Sequence, residues 1–282
     1  MSIDRPSDLH ALIAFYMEAG VDAVLEEAPV NRFTAEAPLP AGMRGGADNP
    51  SFAPPDAPPR TRAPLNRPGA GVPPPMLDAP PAPDAAIMAA RETARGATNL
   101  DALRSMLESF EGCGLRLTAK RLVFADGNPQ AKVMFVGEAP GRDEDIEGLP
   151  FVGRSGQLLD RMMAAIWLDR TSTYIANVIP WRPPGNRTPT PQESQICLPF
   201  IRRQIELANP DILVCLGGPS AAALLGITDG IRRSRGRWHV YHTGARKIRA
   251  IATFHPAYLL RTPLEKRFAW RDFLAVRKAL AE

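Results

Sequence analysis

Apolar residues are distributed along the chain in three regimes. From Ser7 to Glu27 they recur at helical spacing, with Leu9, Leu12, Ile13, Phe15, Tyr16, Met17, Val21, Ala23, Val24 and Leu25 forming one face and Ser7 or Asp8 as the cap. From Ala28 to Asp84 large apolar residues almost vanish, and sixteen prolines stand between Pro29 and Pro83 among Ala, Gly and Asp. Such a stretch cannot bury enough surface to offset its ordering entropy, so a disordered linker is expected. From Ala85 onward short β-type apolar runs alternate with helical ones. The expected organisation is therefore an amphipathic helix at 1–27, a Pro/Ala-rich linker at 28–84, and a folded domain at 85–282.

Within that domain the pattern predicts helices over Ala89–Phe110, Ser155–Trp167, Pro191–Leu207, Pro219–Leu225 and Leu264–Leu280. The predicted strands are Lys132–Val136, Tyr174–Ile179, Asp211–Leu216 and Ile248–Thr253. Continuous apolar strands such as Ile212-Leu213-Val214-Cys215-Leu216 suit a sheet covered on both faces. The expected fold is α/β: a three-layer α/β/α sandwich around a central, mainly parallel sheet. A lone helix on a long tether has no core of its own. The N-terminal one would dock on its own domain, bind a protein partner, or be a mere appendage.

Composition narrows the function classes. No apolar run approaches the ~18 residues of a membrane span, and the first 25 residues lack a secretory pattern. Three cysteines are too few, and odd in number, for a disulfide framework, so a cytoplasmic protein is expected. The formal charge is +4 and the pI about 9.2, with the positive excess C-terminal to residue 95. That balance permits a polyanionic partner.

In a parallel α/β sheet ligands gather at the carboxyl ends of the strands, and three of those ends carry chemistry. The first continues as Gly137-Glu138-Ala139-Pro140-Gly141-Arg142-Asp143-Glu144-Asp145, a tight turn whose backbone N–H groups can meet an anion or a carbonyl oxygen. A second carries Asn177, whose amide offers a donor and an acceptor together, as a pyrimidine edge requires. A third runs into His255-Pro256-Ala257-Tyr258-Leu259-Leu260-Arg261, where His255 opens a Pro-started helix. A helix start lowers the pKa of a nearby imidazole and favours a neutral donor. Each residue alone has a bland reading as a turn, a cap or a core histidine; three loaded strand ends together outweigh it.

These segments, with Leu149-Pro150-Phe151-Val152-Gly153-Arg154-Ser155-Gly156 and Arg182-Pro183-Pro184-Gly185-Asn186-Arg187, occur in an order and spacing that closely resemble the family 4 uracil-DNA glycosylases. The resemblance covers about Leu103 to Leu280. It implies a DNA-repair hydrolase that cuts the N-glycosidic bond of uracil in single- or double-stranded DNA and leaves an abasic site. The target base must be flipped into a pocket. On this reading Gly137, Ala139, Phe151 and Asn177 bind uracil, with Phe151 stacking on the ring and Asn177 reading its polar edge. His255 donates to the carbonyl that gains charge. Tyr258, Leu259 and Leu260 provide an apolar wedge. Arg261 and Ser155 meet phosphates, and Arg182 and Arg187 flank the site on DNA. The Asp used for water activation in other relatives is replaced by Ala139, which leaves Glu138, and after it Glu144, as the nearest carboxylates; Glu138 is given a supporting catalytic role.

The chain departs from that family at its iron–sulfur site. The four cysteine positions read Phe110, Cys113, Trp181 and Cys197, and two thiolates do not make a four-cysteine site. A 4Fe-4S cluster is expected to be absent, with Phe110 and Trp181 filling its volume and no cofactor required. Cys215 reads as a core residue. Arg232, Arg233, Arg235 and Arg237 are expected on a DNA surface. A monomer is expected, with no membrane contact. The alternatives are a DNA- or partner-binding module on the same fold, a nucleotide-phosphate enzyme using the Gly137–Gly141 turn, and a covalent DNA-trapping relative. The turn lacks a P-loop's Lys-Ser/Thr, and the first motif lacks the Gln of the trapping branch.

Overall fold

The computed structural model describes residues 83–282. The helix expected at Ser7–Glu27 and nearly all of the expected linker lie outside the described residues. Pro83 and Asp84, assigned to the linker's end, instead open helix α1 (Pro83–Gly96), with Asp84 in its first turn.

The domain is α/β with a mixed six-stranded sheet. Its strands are β1 (Asp126–Gly127), β2 (Val133–Gly137), β3 (Thr173–Asn177), β4 (Ile212–Leu216), β5 (Trp238–His242) and β6 (Lys247–Thr253), in the order β1-β3-β2-β4-β6-β5. The four central strands are parallel, and β1 and β5 close the edges antiparallel. Side-chain alternation splits the core in two. Met134, Val136, Ala176, Leu213, Cys215 and Ala252 face α1, α2 (Leu100–Ser109), α6 (Pro191–Ala208) and α7 (Gly218–Leu225). Val133, Phe135, Ile175, Val214 and Ile251 face the other way, onto Leu159 and Met163 of α5 (Arg154–Ala164) and Phe273 and Val276 of α10 (Lys266–Leu280). Covered on both faces, β2, β3 and β4 are buried along their whole length, which explains their unbroken apolar sequence.

Register decides where the chemistry gathers. Gly137 pairs with Asn177, Val136 with Cys215, and Leu216 with Thr253. All four parallel strands therefore end at one edge, and the residues after them share one rim.

Several predicted elements shift. The single helix expected over Ala89–Phe110 is two: Ala97 is fully buried between them, and the Asn99 side chain caps α2 by accepting the Ala102 N–H at 2.8 Å. The strand expected to reach Ile179 stops at Asn177, because the Val178 and Ile179 N–H groups turn to the carbonyls of Gly137 and Glu138. The last helix begins at Lys266, after a 3-10 turn over Pro263–Glu265, rather than at Leu264. Beyond the predicted elements the structure adds the short helices α3 (Leu115–Thr118), α4 (Arg142–Glu147) and α8 (Ile231–Ser234) and the edge strands β1 and β5, while the Pro-started helix expected after His255 is α9 (Pro256–Arg261). No helix among the described residues is long and apolar enough to cross a membrane.

Candidate active site

A cavity of about 580 Å3 opens at this rim. Its walls include Glu138, Ala139, Phe151, Ser155, Asn177, Arg187, His255, Tyr258 and Arg261, residues drawn from four separate stretches of sequence. Gly137 packs beneath it. A Cβ there would stand 2.4 Å from Asn177 Oδ1 and 2.6 Å from Phe151 Cζ, so only glycine lets the amide and the ring approach the strand end this closely.

Asn177 is 5% exposed, and its Oδ1 has no hydrogen-bond partner. A buried acceptor left unpaired costs about 1–3 kcal/mol, so the site is complete only when a ligand supplies a donor. Phe151 is buried and stands with its ring centroid 5.5 Å from that of His255. The two rings and the amide thus surround a space suited to a flat, polar-edged ring.

His255 caps α9: its Nδ1 accepts the backbone N–H of Ala257 at 3.1 Å. An accepting Nδ1 carries no proton, so in the neutral ring the proton resides on Nε2, which becomes the donor. Burial, aided by the charge of Arg261, pulls the pKa down to about 4, so the neutral form holds at physiological pH. Gly217 lies under the ring with φ 95°, and a Cβ there would come within 3.1 Å of His255 Cβ.

Both carboxylates line the cavity, and burial raises the pKa of Glu138 above the usual carboxylate value. Glu144 has another task. Its Oε2 accepts the Gly141 N–H and its Oε1 the Gly153 N–H, both at 3.1 Å. It ties the first motif to the Phe151 loop, so each of its oxygens already holds one backbone N–H at the cavity wall.

The expected DNA-contacting residues divide. Tyr258 and Arg261 line the cavity mouth, but Leu259 does not belong to a wedge: it is 1% exposed and packs on Phe254 and Ala269. On the short helix α9 adjacent residues lie about 100° apart, which turns Leu260, 37% exposed, out toward solvent. Arg187 is at the mouth, with its guanidinium forked on Glu193 at 2.6 and 2.8 Å. Arg182 is not in the lining; its Nε donates to Asn186 Oδ1 at 2.7 Å and Nη1 approaches Asp145 Oδ2 at 3.8 Å, which braces the loop. Arg232, Arg233 and Arg237 are exposed. Arg235 is a correction: it is largely buried, paired with Asp272 and donating to the Phe268 carbonyl, and therefore belongs to the fold.

The sequence reading passed over the end of β4. Gly217, Gly218 and Pro219 line the cavity, and Ser220 Oγ donates to the Val136 carbonyl at 2.7 Å. The signal was present, since a Gly-Gly-Pro-Ser run follows an apolar strand just as the other loaded ends do.

The residues at the family's cluster positions do not fit a four-cysteine cluster. Cys113 and Cys197 are buried free thiols with sulfurs 3.9 Å apart. Contact with Cys113 and burial together hold the Cys197 thiol well above its ordinary pKa. The Phe110 ring folds over Gly112 and packs edge-on against Phe200 at 4.9 Å, and Trp181 is 2% exposed. Among the described residues no group of three or more His, Cys, Asp or Glu is placed to hold a metal ion. Cys215 sits fully buried in β4, its thiol pushed up to about 12 by burial.

The comparisons with known proteins point the same way as the geometry. The Uracil DNA glycosylase superfamily matches residues 124–274. The Type-4 uracil-DNA glycosylase of Archaeoglobus fulgidus is 41% identical over 179 residues, covering 62% of this chain and 90% of that protein. That of Thermotoga maritima is 41% identical over 166 residues, 57% of this chain and 83% of its own. That of Saccharolobus solfataricus is 37% identical over 188 residues, 65% and 87%. The matched span contains every wall of the cavity, and on that footing the chain belongs to the uracil DNA glycosylase superfamily, in its type-4 branch.

Proposed function

We propose that this protein is a uracil-DNA glycosylase, hydrolysing the N-glycosidic bond of uracil in single- or double-stranded DNA and leaving an abasic site for base-excision repair. The observation that carries the reading is the unpaired, buried Asn177 Oδ1 in a cavity that also receives the neutral His255. Uracil answers both: its N3–H is the donor that Oδ1 lacks, and its O2 is an acceptor for the Nε2–H.

In the mechanism the base leaves the stack and enters the cavity, where Phe151 stacks on it and Asn177 reads its edge. As the bond between C1′ and N1 lengthens, the electron pair goes to the base and charge builds on O2. The Nε2–H of His255 meets that charge with a neutral donor already in place. Water then adds to the sugar at C1′ and gives up its proton to solvent, with Glu138 in a supporting role at the cavity wall, and the base anion takes up a proton from solvent as free uracil. Leaving-group stabilisation supplies most of the barrier reduction, so a strong base is not required. Leu260 fills the gap in the stack, and Tyr258, Ser155, Arg187 and Arg261 line the path of the backbone. We include in this reading a monomer in the cytoplasm that works without an iron–sulfur cluster, with Phe110 and Trp181 occupying its volume. The N-terminal segment is the place for a protein partner.

The experiment is abasic-site formation on a labelled oligonucleotide carrying one uracil, with the protein and its His255→Ala variant side by side. Product from the wild type with a loss of roughly 100-fold or more in the variant is expected. No product from folded, DNA-binding protein would leave a binding module on the same fold.

A further inference from the structure

We infer that Arg170 is a positioning residue for the reaction: it holds the Phe151 backbone in the left-handed conformation that presents the ring to the base. The inference rests on the reading of Phe151 as the stacking platform. Phe151 has φ 56°, a region costly for a bulky L-residue and persistent only where the surroundings impose it.

The imposing group comes from the far end of β3. Arg170 Nη2 donates to the Phe151 carbonyl, and Nη1 to the Pro150 carbonyl at 3.2 Å. The guanidinium is itself fixed from two sides, by Asp126 Oδ2 in β1 at 2.5 Å and by Asp160 Oδ1 in α5 at 2.9 Å. A planar fork with five donors can grip two consecutive carbonyls and two carboxylates at once; a lysine cannot.

Gly156 completes the clamp. A Cβ on it would lie 1.6 Å from the Phe151 oxygen, so the carbonyl is seated directly against the first turn of α5. With the carbonyl pinned there, the Cα–Cβ bond is turned so that the Phe151 ring is 2.6 Å from where a Gly137 Cβ would stand, and 5.5 Å from the His255 ring. Release of the carbonyl lets the residue relax to negative φ, which swings the ring off the cavity wall. Arg170 itself does not line the cavity, so it acts through Phe151 alone.

The test is a double-mutant cycle of Arg170→Ala and Phe151→Ala, read by uracil excision rate, by inhibition with free uracil and by melting temperature. Each single variant should lose roughly tenfold to hundredfold in kcat/KM, the range expected for one base–aromatic stack. Free uracil should inhibit both less well. The double variant should be no slower than Phe151→Ala within about twofold, because the two changes remove one interaction, whereas the melting temperature should fall further. Arg170→Lys, which keeps the charge, should recover folding but little of the uracil affinity, and it replaces Arg170→Ala in the cycle if the alanine variant does not fold. Losses that multiply in the double variant, with uracil inhibition unchanged in the Arg170 variants, would overturn the inference and leave Arg170 a brace for stability. If Phe151→Ala alone alters neither excision nor uracil inhibition, the stacking role of Phe151 fails instead.

Discussion

His255 Nδ1 accepts the backbone N–H of Ala257 at 3.1 Å, so a cap bond that ends one problem, the start of α9, also sets which nitrogen bears the proton. The same ring is the proposed donor to the leaving base. Helix capping and catalysis thus fix one tautomer, and the neutral state follows from burial and from Arg261.

A pH dependence follows. The folded pKa of about 4 lies below the ordinary 6.5, so the unfolded chain binds the extra proton more readily. The stability due to neutral His255 is therefore fully present above pH 6.5 and is lost as pH falls toward 4. The excision rate should stay level with respect to this group from pH 8 down to about 5 and bend only near 4. Single-turnover rates across that range, with melting curves of the protein and His255→Gln, check it. An acid limb centred near 6.5 that vanishes in the variant would contradict the neutral donor.

Asn177 should show a trade between stability and activity. Its unpaired Oδ1 destabilises the free protein by about 1–3 kcal/mol. Asn177→Leu should therefore melt no lower than the wild type while excision falls roughly 100-fold or more, since a base edge loses its partners. A melting temperature well below the wild type with activity retained would show that the amide is structural.

The two leucines of α9 should separate cleanly. Leu259→Ala removes a side chain that is 1% exposed and should cost about 3 kcal/mol of stability. Leu260→Ala should leave stability within about 0.5 kcal/mol and slow excision from duplex more than from single-stranded substrate, because only a stacked base needs a wedge. Equal losses on both substrates would remove Leu260 from that role.

Phe110 and Trp181 should behave as core residues. Each replacement by alanine should cost about 3–5 kcal/mol, with the purified protein holding no stoichiometric iron before or after. Iron assays and melting curves decide the matter; iron near four atoms per chain in the wild type would refute the cluster-free reading.

Glu138→Gln should lose less than about 1000-fold in kcat, if leaving-group stabilisation dominates and the carboxylate only assists. A larger loss, measured under single-turnover conditions, would make Glu138 the general base.

The amino-acid pattern was sufficient for the α/β class, the strands β2, β3, β4 and β6, and the loaded ends at Gly137, Asn177 and His255. These are local signals: an apolar run, a turn, a helix start following a strand. Recognition of the two missing cysteines also needed no coordinates, since a thiol is present or it is not. What the tertiary structure decided were the matters of direction and partnership. Leu259 and Leu260 are adjacent and identical in sequence, and only the packing of α9 on Phe254 and Ala269 chooses which one is core. Glu144 and Glu138 are both acidic residues of one motif on the same cavity wall, and only the fold brings the Gly141 and Gly153 N–H groups to Glu144. Arg235 reads as one cation in a run, yet Asp272 lies 37 residues away and takes it inward. The grip of Arg170 on Phe151 spans 19 residues and joins strand β1 and helix α5 to the Phe151 loop, a contact that no local pattern encodes. Sequence sets what each side chain can do; which partner it meets depends on distances that exist only once the sheet has closed its register.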